Sequence, residues 1–287
     1  MSEISPIILC LLGTTRCGST LLQSVLASDS GAIPLGEISR AQEMLERDAR
    51  CICGAKLAAC PFWAPALNDL RRVAPLAAWS KSSWLERMNS LRGGLAAMTG
   101  LRFLAAQAEL ESAQAMGDAL ARLSKSAGGS LFIDTSKDPS EFLRLTLLPS
   151  LSLVPVHLIR DPRAVAWSGF RRTGTDPVVI ARHWARLNRA IAWLRPLTGA
   201  YSWQVVRYED FCRDPRSVAN RLLTAAGSRR EFGHQKENHA LGGSPGFSLA
   251  GSSAIVLDER WKAEMPEALQ QRIIQMIDGT ARKFGYT

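Results

Sequence analysis

Largely apolar runs without polar alternation mark the predicted strands of this chain. Residues 7–12 (IILCLL) are wholly apolar, and related runs occupy residues 32–35, 131–133, 153–159 and 203–207. Strands with both faces buried have this pattern, which is typical of parallel sheets. The sequence therefore predicts an α/β fold with a mostly parallel sheet flanked by helices.

Helix starts follow three of these strands. Asp138-Pro139, Asp161-Pro162 and Asp214-Pro215 each place an aspartate directly before a proline. Aspartate caps the N–H groups at a helix start, and proline is favoured at the first helical position. The repeated order of strand, cap and helix predicts right-handed crossovers between parallel strands.

The stretch between the second and third predicted strands has helical spacing. A helical pattern runs from residue 38 to 50, and residues 64–126 continue with alanine-rich helical spacing. We interpret residues 38–126 as a helical insertion within a single domain that spans residues 1–287.

The segment between the first strand and the next helix, GTTRCGST, carries the strongest chemical signal. A glycine-bounded loop before a helix N-terminus gathers amide N–H groups that bind anions. The spacing approaches the P-loop G-x-x-x-x-G-K-[ST], but Ser19 replaces the lysine and Arg16 is the only cation. That difference argues against a P-loop kinase, which stays an alternative. The candidate anion-binding residues are Gly13, Thr14, Thr15, Arg16, Cys17, Gly18, Ser19, Thr20 and Leu21.

Charged residues follow two other predicted strands. In parallel α/β sheets, residues just beyond the carboxyl ends of strands line the ligand crevice. Glu37 has this position, so it is either a functional carboxylate or an acid that stabilises the dipole of the next helix. Arg160 ends a later strand, and Ser168 lies about two turns into the following helix. We expect Arg160 and Ser168 to meet on one phosphate group.

Composition and charge limit the possible functions. The 287 residues carry a formal net charge of +9, which suits a polyanionic ligand, nucleic acid or an anionic membrane surface. The basic residues are spread along the chain, and a nucleic-acid-binding module is therefore only an alternative. No apolar run approaches the roughly 18 residues of a spanning helix, and the N-terminus lacks signal-peptide features. We therefore expect a cytoplasmic location.

Three of the six cysteines, Cys51, Cys53 and Cys60, lie close together in sequence. They fall short of a four-ligand zinc site, because no histidine near them in sequence completes the set. A Cys53–Cys60 link, or a structural turn under Trp63, is the expected arrangement. We expect no metal, and reduced thiols elsewhere.

The two anion-binding motifs resemble those of bacterial sulfotransferases that use 3′-phosphoadenosine 5′-phosphosulfate (PAPS). The first loop is similar to their 5′-phosphosulfate-binding loop, with Cys17 in place of a serine. Arg160 and Ser168 match the pair that holds the 3′-phosphate in that family. Weaker similarities cover Asp134-Thr135-Ser136-Lys137, Tyr208-Glu209-Asp210 and Asp258-Glu259-Arg260-Trp261. The resemblance implies a P-loop-like sulfotransferase core.

The resemblance also implies a reaction and a set of roles. A sulfuryl group would pass from PAPS to a hydroxyl of a small molecule, sugar or lipid, with no metal and no nucleic-acid partner. Glu37 would be the general base, Arg16 and Lys137 would neutralise charge at the sulfuryl group, and Tyr208 would contact the donor. The sequence departs from the family in one loop, residues 242–253, which lacks an arginine common in related chains. This glycine- and serine-rich loop could close over the donor.

Overall fold

A five-stranded, all-parallel sheet forms the centre of the protein. The structure is a computed structural model that describes residues 5–73, 107–228, 238–242 and 255–287. The strand order is β2-β3-β1-β4-β5, and every neighbouring pair is parallel. The strands are β1 (Ile7–Leu12), β2 (Ile33–Gly36), β3 (Leu131–Lys137), β4 (Ser152–Ile159) and β5 (Gln204–Arg207). The predicted fold class and all five predicted strands are confirmed.

Helices connect the strands, and aspartates cap four of them. Asp138, Asp161, Asp176 and Asp214 each accept a hydrogen bond from a backbone N–H in the first turn of the following helix. The sequence predicted three of these caps, at Asp138, Asp161 and Asp214, because each of the three lies directly before a proline. The helices are α1 (Ser19–Ser30), α2 (Ala41–Glu46), α3 (Leu67–Arg72), α4 (Gln107–Ala127), α5 (Pro139–Thr146), α6 (Pro162–Thr173), α7 (Pro177–Leu197), α8 (Tyr208–Arg213), α9 (Pro215–Ala225), α10 (Trp261–Glu264) and α11 (Glu267–Ala281).

The predicted insertion is described in part. The helix expected over residues 38–50 is instead a 3₁₀ turn at Ile38–Arg40 followed by α2. It ends early because Asp48 takes a left-handed backbone conformation with φ of 49°. Residues 74–106 lie outside the described part of the chain, as do residues 243–253 of the loop expected to cover the donor. Within the described residues, no helix is both long and apolar enough to cross a membrane.

Side chains of β1 alternate between two hydrophobic cores, one on each face of the sheet. Ile8, Cys10 and Leu12 pack with helix α4 and the segment around Trp63, which is completely buried. Leu9 and Leu11 pack with helices α1 and α9 on the other face. Both faces of β1 are therefore dry, which explains the absence of polar positions in its sequence.

The sheet register determines what surrounds the loop after β1. Leu12, the last residue of β1, lies opposite Lys137 of β3 on one side and His157 of β4 on the other. The chain leaves β1 towards β2 and leaves β4 towards β5, in opposite directions across the sheet. Such a point, where connections diverge, opens a crevice at the carboxyl ends of the strands.

We predict that one buried carboxyl group makes stability fall as the pH rises. Asp134 of β3 is buried, and burial followed by the charge of Glu141 raises its pKa from 3.8 to about 7. The folded chain therefore binds the extra proton between about pH 4 and pH 7, so the free energy of unfolding declines across that window and then levels off. A shift of about three pKa units corresponds to about 4 kcal/mol at most.

The variant Asp134→Asn cannot ionise and should lack this part of the pH dependence. Its amide oxygen can still accept the hydrogen bond that the Ser136 N–H donates to Asp134 at 2.8 Å. Urea unfolding at pH 5 and pH 8 measures the difference, and Asp48→Asn, at an exposed position, is the control. Equal pH slopes for Asp134→Asn and the wild type would contradict the assignment.

Candidate active site

The loop after β1 is held tightly between β4 and the start of helix α8. Gly13 approaches the Leu158 carbonyl of β4 so closely that a Cβ atom there would lie 2.4 Å from the oxygen. Gly18 has φ of +98°, and a Cβ on it would lie 2.3 Å from the Tyr208 ring. Gly18 is also the N-cap of α1 and has no side chain with which to cap the amide groups of the first turn. The loop is therefore shaped as a narrow cradle at a helix N-terminus, where anions bind.

Arginine side chains meet beside this loop. The Arg16 Nε donates a hydrogen bond to the Ser168 hydroxyl at 2.9 Å. The Arg160 Nη1 donates to the backbone carbonyl of Arg16 at 3.1 Å, and its guanidinium lies 4.4 Å from the centre of the Tyr208 ring. The structure thus brings together Arg16, Arg160, Ser168 and Tyr208, although the hydrogen bond to Ser168 comes from Arg16.

Further cations line the same cleft. Arg171 and Arg172 come from the last turn of α6, one helical turn beyond Ser168, and Arg260 comes from the segment before α10. Sequence analysis did not assign these three arginines to the site. The spacing of Ser168 and Arg171 on one helix face was a usable signal, because residues three or four apart lie side by side. The cleft lining also includes Ala164, Trp167, Asp258 and Trp261.

The electrostatics of the cleft favour an anionic ligand. Burial, followed by the charges of Arg160 and Arg172, lowers the pKa of Arg16. Asp258 gives a partial balance: its carboxylate accepts from Arg160 at 3.3 Å and from Arg260 at 2.8 Å. Neighbouring cations repel each other, and an anion between them relieves that repulsion.

Arg160 is prepared for a further partner. Its side chain is buried, and among the described residues its Nε atom has no hydrogen-bond partner. A buried donor without an acceptor costs about 1–3 kcal/mol. A phosphate or sulfate oxygen in the cleft would supply an acceptor, so the residues present fit an anionic group.

Glu37 and Lys137 form a second group at the same edge of the sheet. The Lys137 Nζ donates to one carboxylate oxygen of Glu37 at 2.8 Å, and Arg40 donates to the other at 3.1 Å. Burial by itself raises the pKa of Glu37, but the charges and hydrogen bonds of Lys137 and Arg40 outweigh it, so the pKa is lowered. Glu37 is therefore ionised at neutral pH.

The cradle loop lies between the two groups. Cys17 is buried, and while burial raises the pKa of its thiol, the charges of both Lys137 and Arg160 act on it in the opposite direction. Because its side chain belongs to the core, Cys17 can offer a ligand only backbone groups. Leu21 likewise packs against the core. Thr14 and Ser19 are buried, and Thr15 is exposed at the loop surface.

The cysteines differ from the sequence expectation in two ways. Cys53 and Cys60 are free thiols with their sulfurs 3.7 Å apart, so the Cys53–Cys60 link is absent. The prediction that no histidine completes this group is wrong in three dimensions, because the Nδ1 atom of His239 lies 3.3 Å from the Cys60 sulfur. The sequence could not indicate this contact, since the two residues are 179 positions apart.

A profile of the sulfotransferase family matches residues 6–231 of the sequence, which include the cradle loop, Glu37, Lys137, Arg160 and Ser168. This chain belongs to the sulfotransferase family. Its membership favours sulfuryl transfer over the kinase and the nucleic-acid-binding alternatives that the sequence left open. The fold agrees with that assignment.

Individual relatives show how far the similarity extends. Carbohydrate sulfotransferase 5 of Mus musculus is 27% identical to this sulfotransferase in an alignment of 168 residues, which covers 48% of this chain and 42% of the mouse protein. The sulfotransferase domain from the Synechococcus PCC 7002 olefin synthase has the same fold, with a TM-score of 0.61 and 23% identity over 100% of this chain and 98% of that one. The sulfotransferase domain from the curacin biosynthetic pathway aligns with a TM-score of 0.48 and 16% identity, over 96% and 99% of the two chains.

We predict that Gly18→Ala destabilises the protein more than the same change at Gly31. Both glycines have a left-handed backbone, and they flank helix α1 at its two ends. Alanine in that conformation costs about 1–2 kcal/mol. Only Gly18 adds a steric conflict with Tyr208, whereas a Cβ on Gly31 meets nothing within 4 Å among the described residues.

Urea unfolding of the two single variants measures the difference. Adding Tyr208→Ala to Gly18→Ala should recover part of the extra loss, because the conflicting ring is then gone. Equal destabilisation by Gly18→Ala and Gly31→Ala would show that the loop does not depend on its contact with Tyr208.

Proposed function

We propose that this sulfotransferase uses PAPS as donor and transfers the sulfuryl group to a hydroxyl acceptor. The observation that carries the proposal is the arginine-lined cleft beside the cradle loop, where the Nε atom of the buried Arg160 has no acceptor among the described residues. PAPS carries anionic groups at both ends of its ribose, and the two motifs offer a separate anion site for each end.

The cradle loop would hold the 5′-phosphosulfate end of the donor. Its amide groups and the N-terminus of α1 favour negative charge at that position. Arg160 and Ser168 would hold the 3′-phosphate, with Arg171, Arg172 and Arg260 increasing the positive potential around it. The guanidinium of Arg16, which now donates to Ser168, is within the same cleft and would neutralise charge on either group.

When bound, PAPS supplies an activated sulfuryl group whose sulfur–oxygen bond to the 5′-phosphate breaks as the acceptor oxygen bonds to sulfur. The chain's own residues would position the acceptor and move its proton. Glu37 would accept the hydroxyl proton, and Lys137 would stabilise the negative charge that develops on the leaving phosphate. Positioning and charge stabilisation are the main contributions in the related phosphoryl transfers.

The lowered pKa of Glu37 makes its carboxylate a weak base. A general base is most effective when its pKa is near the working pH, and the ion pairs with Lys137 and Arg40 keep Glu37 ionised but weakly basic. If Lys137 turned towards the donor, Glu37 would lose its strongest partner and become more basic. Donor binding would in this way prepare the base.

The acceptor class is a further part of the proposal. The mouse relative is a carbohydrate sulfotransferase by name, so a sugar hydroxyl is one acceptor class to test, beside small-molecule and lipid hydroxyls.

The location of the protein is also a proposal. All six cysteines are free thiols, and free thiols are usual in reducing compartments. That supports a cytoplasmic location.

We predict that donor affinity depends on the 3′-phosphate. Adenosine 3′,5′-bisphosphate should bind the wild type at least about tenfold more tightly than AMP, because charged hydrogen bonds contribute about 1.5–3 kcal/mol each. Arg160→Ala should remove most of this preference, and Ser168→Ala should reduce it less. Isothermal calorimetry with both nucleotides measures the ratio. Arg182→Ala, at an exposed position on α7, is the control for the loss of one positive charge.

Equal affinity of the wild type for the two nucleotides would remove the basis for PAPS as donor. A preference that survives Arg160→Ala unchanged would instead leave PAPS in place and assign the 3′-phosphate to other arginines of the cleft.

We predict that Glu37→Gln lowers kcat by about 10²–10⁴-fold, the range that general bases contribute. Glutamine keeps the shape of the side chain and one of its two accepting oxygens but cannot accept the proton. Because Glu37 lies outside the arginine cleft, bisphosphate affinity should stay nearly unchanged. The control is Glu43→Gln, because Glu43 also pairs with Arg40 but is more exposed. An unaltered kcat in Glu37→Gln would assign the proton transfer to another group.

A further inference from the structure

The side chains of three cysteines and one histidine form a cluster that does not line the arginine cleft. Their sulfur and nitrogen atoms face one another. Cys51, Cys53, Cys60 and His239 place three sulfurs and one imidazole nitrogen within 4.8 Å of each other. Cys51 and Cys60 are buried, and Cys53 is exposed. We call these four residues the cysteine–histidine cluster.

The distances match a tetrahedral zinc site. With zinc–sulfur bonds of about 2.3 Å and zinc–nitrogen bonds of about 2.0–2.1 Å, two sulfurs lie about 3.8 Å apart and a sulfur and a nitrogen about 3.6 Å apart. In the cluster the Cys53 and Cys60 sulfurs are 3.7 Å apart. The His239 Nδ1 lies 3.3 Å from the Cys60 sulfur and 3.7 Å from the Cys51 sulfur. A disulfide would instead require sulfurs about 2.05 Å apart.

Surrounding groups hold the cluster in place. The His239 ring stacks on the Phe62 ring with a centroid distance of 5.1 Å. The backbone carbonyl of His239 accepts a hydrogen bond from the Trp63 indole at 2.8 Å. Outer groups that fix ligand orientation are characteristic of metal sites.

We propose that the cysteine–histidine cluster binds one structural Zn²⁺ ion. Three thiolates and one imidazole form a closed Cys₃His set, and zinc is the metal that such soft, tetrahedral sets bind in proteins. The thiols of Cys51, Cys53 and Cys60 each release a proton on binding, and His239 binds as the neutral imidazole. All four protein ligands are used, so the ion has no open position and takes no part in sulfuryl transfer.

Zinc at this position would join two distant parts of the chain next to the proposed base. The short segment 238–242 runs beside the end of β2: Leu241 donates to the Leu35 carbonyl at 2.8 Å and accepts from the Glu37 N–H at 2.7 Å. Gly36 allows this approach, because its φ is +72° and a Cβ there would lie 2.1 Å from the Leu241 oxygen. An ion bound by His239 would therefore hold the segment 238–242 in place. This segment in turn holds the backbone of Glu37. The metal site itself does not depend on the proposed donor or acceptor.

Metal analysis of the wild-type chain tests the proposal directly. The protein is produced in zinc-supplemented medium, purified without chelators and measured by inductively coupled plasma mass spectrometry. We expect about one zinc per chain, and zinc-edge X-ray absorption with three sulfur ligands and one nitrogen ligand. Zinc below about 0.1 per chain after zinc incubation and desalting would overturn the proposal. A zinc with no sulfur ligands, or a Cys53–Cys60 disulfide without metal, would overturn it equally.

Variants identify the ligands. Cys53→Ser removes an exposed thiol, so it should lower zinc content at least about fivefold without opening a cavity. His239→Asn should do the same, because it removes the ligand from the distant segment. The matched control is Cys212→Ser, a buried thiol in the core on the other face of the sheet, and it should keep its zinc. A chelator should lower the melting temperature of the wild type and of Cys212→Ser, but not of the two ligand variants. Full zinc content in both ligand variants would refute the assignment.

Discussion

The site depends on the burial of β1 on both faces. The strand has no face in water, and it lies in the middle of the sheet with a parallel neighbour on each side. Its last residue is then flanked by β3 and β4, so the loop that follows has Lys137 on one side and the strand leading to Arg160 on the other. The strand order thus decides which charges reach the anion cradle.

The arginine cleft lowers the stability of the protein when no ligand is bound. Arg16, Arg160 and Arg172 act on one another as like charges in a partly buried site, and a buried Arg160 donor lacks an acceptor among the described residues. The carboxylate of Asp258 relieves only part of this repulsion. Like charges held close together in this way are typical of functional sites, since a ligand can use energy that the fold alone does not recover.

A single short segment connects the proposed base with the proposed metal site. Residues 238–242 lie between two parts of the chain whose structure is not described, yet they are held by main-chain bonds to β2 and Glu37 and by the side-chain contacts of His239. Glu37 therefore has its backbone fixed by Leu241 and its carboxylate fixed by Lys137 and Arg40. This double restraint would keep the proposed base in a fixed position relative to an acceptor.

The sequence by itself determined the strands, three of the helix caps and the position of the cradle loop, because local patterns of apolar runs, Asp-Pro pairs and glycines indicate them. The apolar runs reproduced all five strands, and Asp-Pro pairs located three helix starts. Only the tertiary structure decided that Arg16 reaches Ser168, 152 positions away, that Arg172 and Arg260 join the cleft, and that His239 meets the cysteines. Such contacts follow from how the sheet and its crossovers pack, and no local pattern records them.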